Sequence, residues 1–422
     1  MAAPAAAKRP YWQAPAAVPE PNKRHRTAAA PAPMDANKEP ATEHEDQPLL
    51  PGLPDHLAQL CLAPLPPRLL HAVCRPWRRL LYSPSFPPFL SLYAVLDDAT
   101  TGPASSSGTG GGVSFAAYDA VAGRWDDLPA PPMPSSPPRL WHPSFLSRRL
   151  PLQSVAAGGR LVLVAGSTRS LAPALPQPVV FDPAARAWRL GPRFPFAPRR
   201  WCAAGAARGR VFVAGGVGAG YDASDARSGA TWDPASATAA AGWEPITPMR
   251  DARFSRDAAE AVCAAGKVCM VSLRCRGAKE GAVFDLRAAR WEDMPPGMLA
   301  GWKGPAAAVD ETTIFVVDEE RGALGAYDWA GDRWRTVVES ERLKGAAEMA
   351  AGGGRVCVAA QGGEKVVVVD VAPSRPSPQP SRRWGAPTAA AAAPRPRVWE
   401  VAAPPGKRVV ALHVLPRMAR AE

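Results

Sequence analysis

Residues 281–294 read Gly-Ala-Val-Phe-Asp-Leu-Arg-Ala-Ala-Arg-Trp-Glu-Asp-Met. A short apolar run ends in the pair Phe284-Asp285, and six residues after the aspartate stands Trp291. The same spacing recurs at Tyr118-Asp119 to Trp125, Phe181-Asp182 to Trp188 and Tyr327-Asp328 to Trp334, with a looser copy, Trp232-Asp233 to Trp243, over a longer turn. Upstream of most copies lies a β-rich run, at 160–166, 210–216, 268–271, 314–317 and 355–358. An apolar strand, a strand ending in aromatic-Asp, a turn and a strand led by Trp predict an antiparallel sheet. In it the Asp side chain satisfies N–H groups of the turn, and the tryptophan supplies a wide plate between neighbouring sheets. Successive tryptophans 125, 188, 243, 291 and 334 are separated by 63, 55, 48 and 43 residues. Short strands repeating at ~50 residues point to propeller blades.

Blades are expected at about 90–128, 152–190, 201–247, 257–294 and 302–338, with a last one starting near Ala346, running through 366–370 and interrupted by a Pro/Ala/Ser loop over 372–397. Either Trp384 or Trp399 is its outer tryptophan, and the flanking Val398 and Val401 favour the second. The apolar run 409–415 has no blade of its own, whereas the first blade lacks an innermost strand. The ring is therefore expected to close by joining C-terminal to N-terminal sequence, with six blades as the expected count and five or seven open. This unit is similar to the kelch repeat, with its diglycine, its aromatic-Asp and its tryptophan. The diglycine is complete at Gly215-Gly216, is Ala165-Gly166 once, and becomes Val271-Ser272 and Val317-Asp318 elsewhere, so those blades are degenerate.

Ahead of the repeats, Leu53, Leu57, Leu60 and Cys61 fall at i, i+4, i+7 and i+8, one helical stripe between Pro54 and Pro64. Leu65, Leu69 and Val73 repeat it after Pro66-Pro67, and Trp77, Leu80 and Leu81 begin a third after Pro76. Proline is tolerated in a first helical turn because its missing N–H has no partner there. A unit of roughly 40 residues is near the lower limit for independent folding. It carries more leucine than three such short helices can cover, so it is expected to bury that surface on a partner. A helical cap on the following domain is the alternative. The segments Leu53-Pro54-Asp55, Leu65-Pro66-Pro67-Arg68 and Val73-Cys74-Arg75-Pro76-Trp77-Arg78-Arg79-Leu80-Leu81 resemble the F-box, whose pattern runs L-P-(D/E), L-P-x-(K/R) and V-(S/C)-(K/R)-x-W-R-x-L. Together the stripes and the resemblance imply adaptor binding through Leu53, Pro54, Leu57, Leu60, Leu65, Pro66, Val73 and Trp77.

The domain layout that follows is a tail over 1–48, an F-box over 49–89 and a mainly β, kelch-type propeller over 90–418. The tail is Ala, Pro and charged residues with almost no large aliphatics, so it cannot offset its chain entropy and is expected to be disordered. The 50 prolines and 36 glycines among 422 residues stay below the ~25–30% of a wholly low-complexity chain. No stretch approaches ~18 consecutive strongly apolar residues, and the start lacks the charged-then-apolar order of a signal peptide. A soluble protein of the cytoplasm or nucleus, without a membrane partner, is expected. Seven cysteines with no C-x-x-C read as reduced thiols, and Cys263, Cys269 and Cys275, six apart among small or β-branched residues, as core thiols that pack like small hydrophobes. The net charge of +12 is scattered rather than run together, so no nucleic-acid partner is expected. Lys23-Arg24-His25-Arg26 reads as solvated tail, with a nuclear address as the alternative.

Catalytic constellations are scarce. The six histidines form no H-E-x-x-H or carboxylate-spaced pair, and neither a G-x-S-x-G nor a phosphate-cradling P-loop occurs. Gly216-Val217-Gly218-Ala219-Gly220 follows a strand, but the polar, turn-like 221–225 is not expected to open the helix a dinucleotide site needs. Some kelch propellers are copper oxidases, which takes a Tyr/His/Cys cluster that this chain does not suggest; His142 reads as a loop histidine. No cofactor or metal is expected.

An F-box followed by kelch repeats resembles the plant kelch F-box family over about 49–418. That resemblance implies a substrate receptor of an SCF ubiquitin ligase. The F-box docks on a Skp-type adaptor, which joins it to cullin, and the propeller holds the target protein, raising its effective concentration near the ubiquitin-conjugating enzyme. The segments 50–56 and 409–418 look like the subset that acts on phenylpropanoid and flavonoid enzymes. Loops from each outer strand to the next inner strand carry Arg148, Arg149, Arg199, Arg200, Arg250, Arg253, Arg256 and Lys303 beside Trp141, Phe145, Phe194, Phe196, Trp201, Phe254 and Trp302. Arginine beside tryptophan is a frequent hot-spot pairing. Arg149, Arg200, Arg253, Arg256, Trp302 and Lys303 are accordingly expected to grip an acidic patch on the target, with ordinary solvated loops as the alternative. Two other function classes stay open. A propeller metalloenzyme needs a metal in the central channel, and a basic nuclear scaffold needs its charge focused on one face with salt-sensitive binding.

Overall fold

The computed structural model describes residues 48–63, 65, 67–83, 86, 89–98, 113–133, 152–168, 170–236, 242–252, 254, 259–272, 279–371 and 396–419. The expected disordered tail up to residue 47, the loop over 100–112 and residues 372–395 of the expected loop over 372–397 lie outside the described residues. Three helices, α1 (Asp55–Leu62), α2 (Pro67–Val73) and α3 (Arg75–Leu81), precede six four-stranded antiparallel sheets. The first sheet holds β1 (Leu90–Asp98), β2 (Ser114–Asp119) and β3 (Arg124–Asp127); the second β4 (Leu152–Ala157), β5 (Arg160–Gly166), β6 (Val179–Asp182) and β7 (Ala187–Leu190). The third holds β8 (Ala203–Ala207), β9 (Arg210–Ala214), β10 (Gly229–Trp232) and β11 (Glu244–Pro245); the fourth β12 (Ala259–Ala264), β13 (Lys267–Ser272), β14 (Gly281–Asp285) and β15 (Arg290–Asp293). The fifth holds β16 (Ala306–Val309), β17 (Thr313–Asp318), β18 (Ala323–Asp328) and β19 (Arg333–Glu339); the sixth β20 (Ala346–Gly352), β21 (Arg355–Ala360), β22 (Lys365–Asp370) and β23 (Val398–Ala402). The last strand, β24 (Lys407–Pro416), pairs antiparallel with β1 as the innermost strand of the first sheet. Each innermost strand packs on the next, and β24 packs on both β20 and β4, so the sheets are the six blades of a closed propeller.

The repeat residues perform two local jobs. The aspartate Oδ1 accepts N–H bonds from two and three residues ahead: Asp119 from Val121 and Ala122, Asp182 from Ala184 and Ala185, Asp285 from Arg287 and Ala288, and Asp328 from Ala330 and Gly331. The side chain thus replaces the water that an unpaired turn N–H would need. The tryptophans do more than fill space, a role the spacing alone did not disclose. Each indole Nε1 donates to a backbone carbonyl of the preceding blade or its exit: Trp188 to Pro129 at 2.7 Å, Trp243 to Pro192 at 3.2 Å, Trp291 to Thr247 at 2.8 Å and Trp334 to Met298 at 3.0 Å. Trp125 of the first blade donates to Ala402 of the sixth at 2.8 Å, so the series runs across the seam. Trp399 belongs to β23, with the guanidinium groups of Arg355 and Arg397 5.8 and 5.6 Å from the centre of its ring.

Both faces of a blade lie against neighbours, which explains the nearly continuous apolar second strands. Leu161, Val162, Leu163, Val211, Phe212, Val268, Cys269, Met270 and Val356 are buried. Innermost strands crowd toward the axis and use small residues instead, as in 203–207 (Ala-Ala-Gly-Ala-Ala). A Cβ at Gly205 would lie 2.9 Å from the Ala261 carbonyl oxygen of the next blade. The full diglycine has a similar cause: Gly216 has φ +88°, and a Cβ there would lie 2.8 Å from the Arg200 carbonyl oxygen. The segment after it departs from expectation. Residues 223–227 form a helix, α4 (Ala223–Arg227), whose N-cap Asp222 accepts from the Asp225 N–H at 2.9 Å. It is a single turn between two antiparallel strands, so the dinucleotide geometry is still not met.

Four of the cysteines, Cys202, Cys263, Cys269 and Cys357, are buried free thiols, each pushed up to about 12 by burial. Cys61, a member of the α1 stripe, is exposed, and Cys275, expected in the core with Cys263 and Cys269, lies outside the described residues. His413 on β24 has its Nε2 2.8 Å from Ser154 Oγ on β4, and burial pulls its pKa down to about 4. A base with a folded value below its unfolded one binds more protons when unfolded. Its stabilisation is therefore present above the unfolded value of ~6.5 and is lost as pH falls from there. Acidic groups act lower: the Ala288 N–H, the Lys267 ammonium and the Arg287 N–H hold Asp285 at about 2, so its contribution is lost between ~4 and that value. The melting temperature should fall by roughly 2–3 °C between pH 7 and pH 5, and His413→Gln should flatten the fall. A wild-type melting temperature that stays constant over this interval would contradict a buried neutral imidazole.

Candidate functional site

Proline opens each short helix: Pro54 is the N-cap of α1, Pro67 starts α2 and Pro76 lies in the first turn of α3. Their own small core is Leu62, Leu70, Leu80, Leu81 and Phe86, with Leu65 and Trp77 packed against it. The Trp77 indole donates to the Leu49 carbonyl at 2.6 Å. The stripe read from the sequence faces the other way. Leu53 is 39% exposed, Leu57 41%, Leu60 71% and Val73 51%, while Ala58 and Leu62 turn inward. An apolar stripe on a surface helix ordinarily points to the core; this one points to water. Leu69, 48% exposed, joins it. It lies in the sequence stripe but outside the expected adaptor set. Pro54 is also exposed, whereas Leu65 and Trp77 are half-buried supports of the helices. Pro66 lies outside the described residues.

The helices sit at one end of the propeller. Val121, in the β2–β3 turn, packs on their core, and Tyr82 after α3 donates to Asp119 Oδ2 at 3.3 Å. Turns between first and second strands and between third and fourth strands lie at this end, because every blade is antiparallel. Connections between blades leave from the opposite end. The apolar stripe and the interblade loops are thus separated by the depth of the ring.

On the loop face several expected contact residues have other work. Trp302 is 1% exposed, in the core between the fourth and fifth blades, with its Nε1 3.2 Å from Glu260 Oε2. It corrects the expectation of a surface aromatic: a buried indole reaches a partner only by unpacking the core. Arg200 is half-buried, and its Nη1 donates to the carbonyls of Leu171 and Gly218, so its guanidinium ties two loops together rather than standing free. Its neighbour Arg199 is buried over Phe196 and donates to Gly215 and Ser228. Lys303 remains accessible, 56% exposed and 3.4 Å from Asp318. Arg149, Arg253 and Arg256 lie outside the described residues. Among the described residues no three His, Cys, Asp or Glu side chains stand close enough together to hold a metal ion, and no helix is long and apolar enough to cross a membrane.

No protein-family model matches the chain. The F-box/kelch-repeat protein SKIP25 of Arabidopsis thaliana is 40% identical over 408 residues, covering 93% of this chain and 96% of that protein. The F-box protein AFR of the same plant is 23% identical over 297 residues, covering 67% of this chain and 71% of its own length. Three proline-opened helices with an outward apolar stripe, six kelch blades and identity along nearly the whole chain agree: this protein belongs to the F-box/kelch-repeat family.

Proposed function

We propose that this protein is the non-catalytic substrate-recognition subunit of an SCF-type ubiquitin ligase. The F-box binds a Skp-type adaptor and through it cullin. The propeller captures a target protein for ubiquitination and proteasomal degradation, in the cytoplasm or the nucleus. The observation that carries the reading is the outward stripe of Leu53, Leu57, Leu60, Leu69 and Val73. Nothing in the described chain covers it, and it sits at the end of the ring opposite the interblade loops. Exposed apolar surface of this kind marks an interaction site, and joining two binding surfaces in one chain supplies the proximity that the reaction needs. Target contacts fall to the loop face, where Lys303 and Arg250 are accessible cations among the described residues. The target class carried forward is an enzyme of phenylpropanoid or flavonoid synthesis, which rests on the resemblance of 50–56 and 409–418.

Affinity purification from cells with the proteasome inhibited tests the reading, comparing the wild type with Leu57→Asp/Leu60→Asp. Both should recover the same target protein, but only the wild type should recover adaptor and cullin and carry ubiquitin-modified target. Recovery of a target with no adaptor or cullin in the wild type would overturn it.

A further inference from the structure

In two blades the repeat aspartate also pairs with a cation that opens the second strand of its own sheet: Arg160 with Asp182 at 3.0 Å, and Lys267 with Asp285 at 3.1 Å. In the first blade the register Leu92–Tyr118 puts Ser91 at that position, so its second strand offers Asp119 no such cation. The cation arrives instead from beyond the closing strand. Arg417 Nε lies 2.9 Å from Asp119 Oδ2, both side chains being almost fully buried. The same Oδ2 accepts the Tyr82 hydroxyl, and the Arg417 guanidinium lies 3.5 Å from the centre of the Tyr82 ring and 5.6 Å from that of Phe89. The Arg417 N–H donates to the Phe89 carbonyl at 2.9 Å. Two residues on, Ala419 donates to the Pro183 carbonyl and accepts from Arg186, both in the β6–β7 turn, and Met418 between them is buried. The three residues after β24 thus touch the segment leaving α3, the first blade and the second blade.

We infer that Arg417 is a positioning residue: stacked on Tyr82 and paired with Asp119, it clasps the F-box to the propeller and fixes the angle between the adaptor-facing stripe and the loop face. A charge pair with both partners desolvated and a cation over an aromatic face are among the stronger polar contacts available, and units joined by a small interface otherwise move relative to one another. The consequence for ubiquitin transfer rests on the function proposed above; the clasp itself does not.

The test uses the full chain with spin labels at the exposed Cys61 and at Asp293→Cys, the latter position being 98% exposed, and with Cys74 and Cys275 replaced by Ser. The unaltered clasp should give one narrow distance distribution, and R417M should widen it about twofold or more. R417K keeps the charge without the planar stacking group and should widen it less. Y82L keeps apolar bulk but removes both the ring and the hydroxyl, and provides the same reading if R417M does not fold. Wild-type width in R417M and Y82L, at unchanged melting temperature, would overturn the clasp. Failure of the wild-type chain to bind a purified Skp-type adaptor would overturn the proposed function and leave the distance result to decide the clasp alone.

Discussion

A chain ending at Gly406 is expected to lose the propeller as a cooperative unit rather than fray at one end. Without β24 the ladder from Leu90–Pro416 to Asp98–Lys407 is gone, leaving the edge of β1 unpaired. Leu412 and Leu415, both buried, leave their clusters, as do Val409 and Ala411. Each large apolar side chain removed forfeits about 1.5–3 kcal/mol of burial, and β4 and β20 lose the strand that separates them. The total approaches the ~5–15 kcal/mol that holds a whole domain, and an open strand edge invites aggregation. Denaturant unfolding and sedimentation of the truncated chain provide the check. A soluble product with the wild-type melting temperature would show that the ring does not depend on this closure.

The second large effect concerns the helices. Leu57→Asp with Leu60→Asp places two charges in the apolar stripe, and apolar anchors dominate interfaces of this kind. Affinity for a Skp-type adaptor should fall by more than ~30-fold, about 2 kcal/mol. Because both side chains are exposed, the melting temperature should hold. Ala58→Asp is the contrast: it sits on the buried face of the same helix, so it should unfold the F-box and lose binding through structure. Titration calorimetry alongside thermal melts separates the two. Full adaptor affinity in the double variant would move the docking surface elsewhere.

The parts of this architecture that are legible in the sequence are those encoded over short spans. An aspartate six residues before a tryptophan caps its own turn while the tryptophan reaches the adjacent blade, so the repeat shows wherever that spacing survives. The unpartnered run 409–415 pointed to the first blade because a ring of sheets cannot leave one strand short. Side chains that act across long separations were not legible. Nothing near Arg200 in sequence says that its guanidinium meets the Leu171 carbonyl, and nothing near Trp302 distinguishes a core indole from a surface one. Arg417 and Asp119 are 298 residues apart. Ser91 standing where two other blades carry Arg160 or Lys267 is the local hint that Asp119 finds its cation elsewhere. The direction of the α1 stripe was equally hidden, since periodicity shows that a helix has an apolar face without saying what that face meets.

Light scattering of the purified full chain mixed with a recombinant Skp-type adaptor decides whether the exposed helical stripe is a docking surface. A single equimolar complex, lost in Leu57→Asp/Leu60→Asp and retained in Lys303→Glu, is the expected result; separate elution of chain and adaptor at micromolar concentrations would contradict a receptor that docks through its F-box.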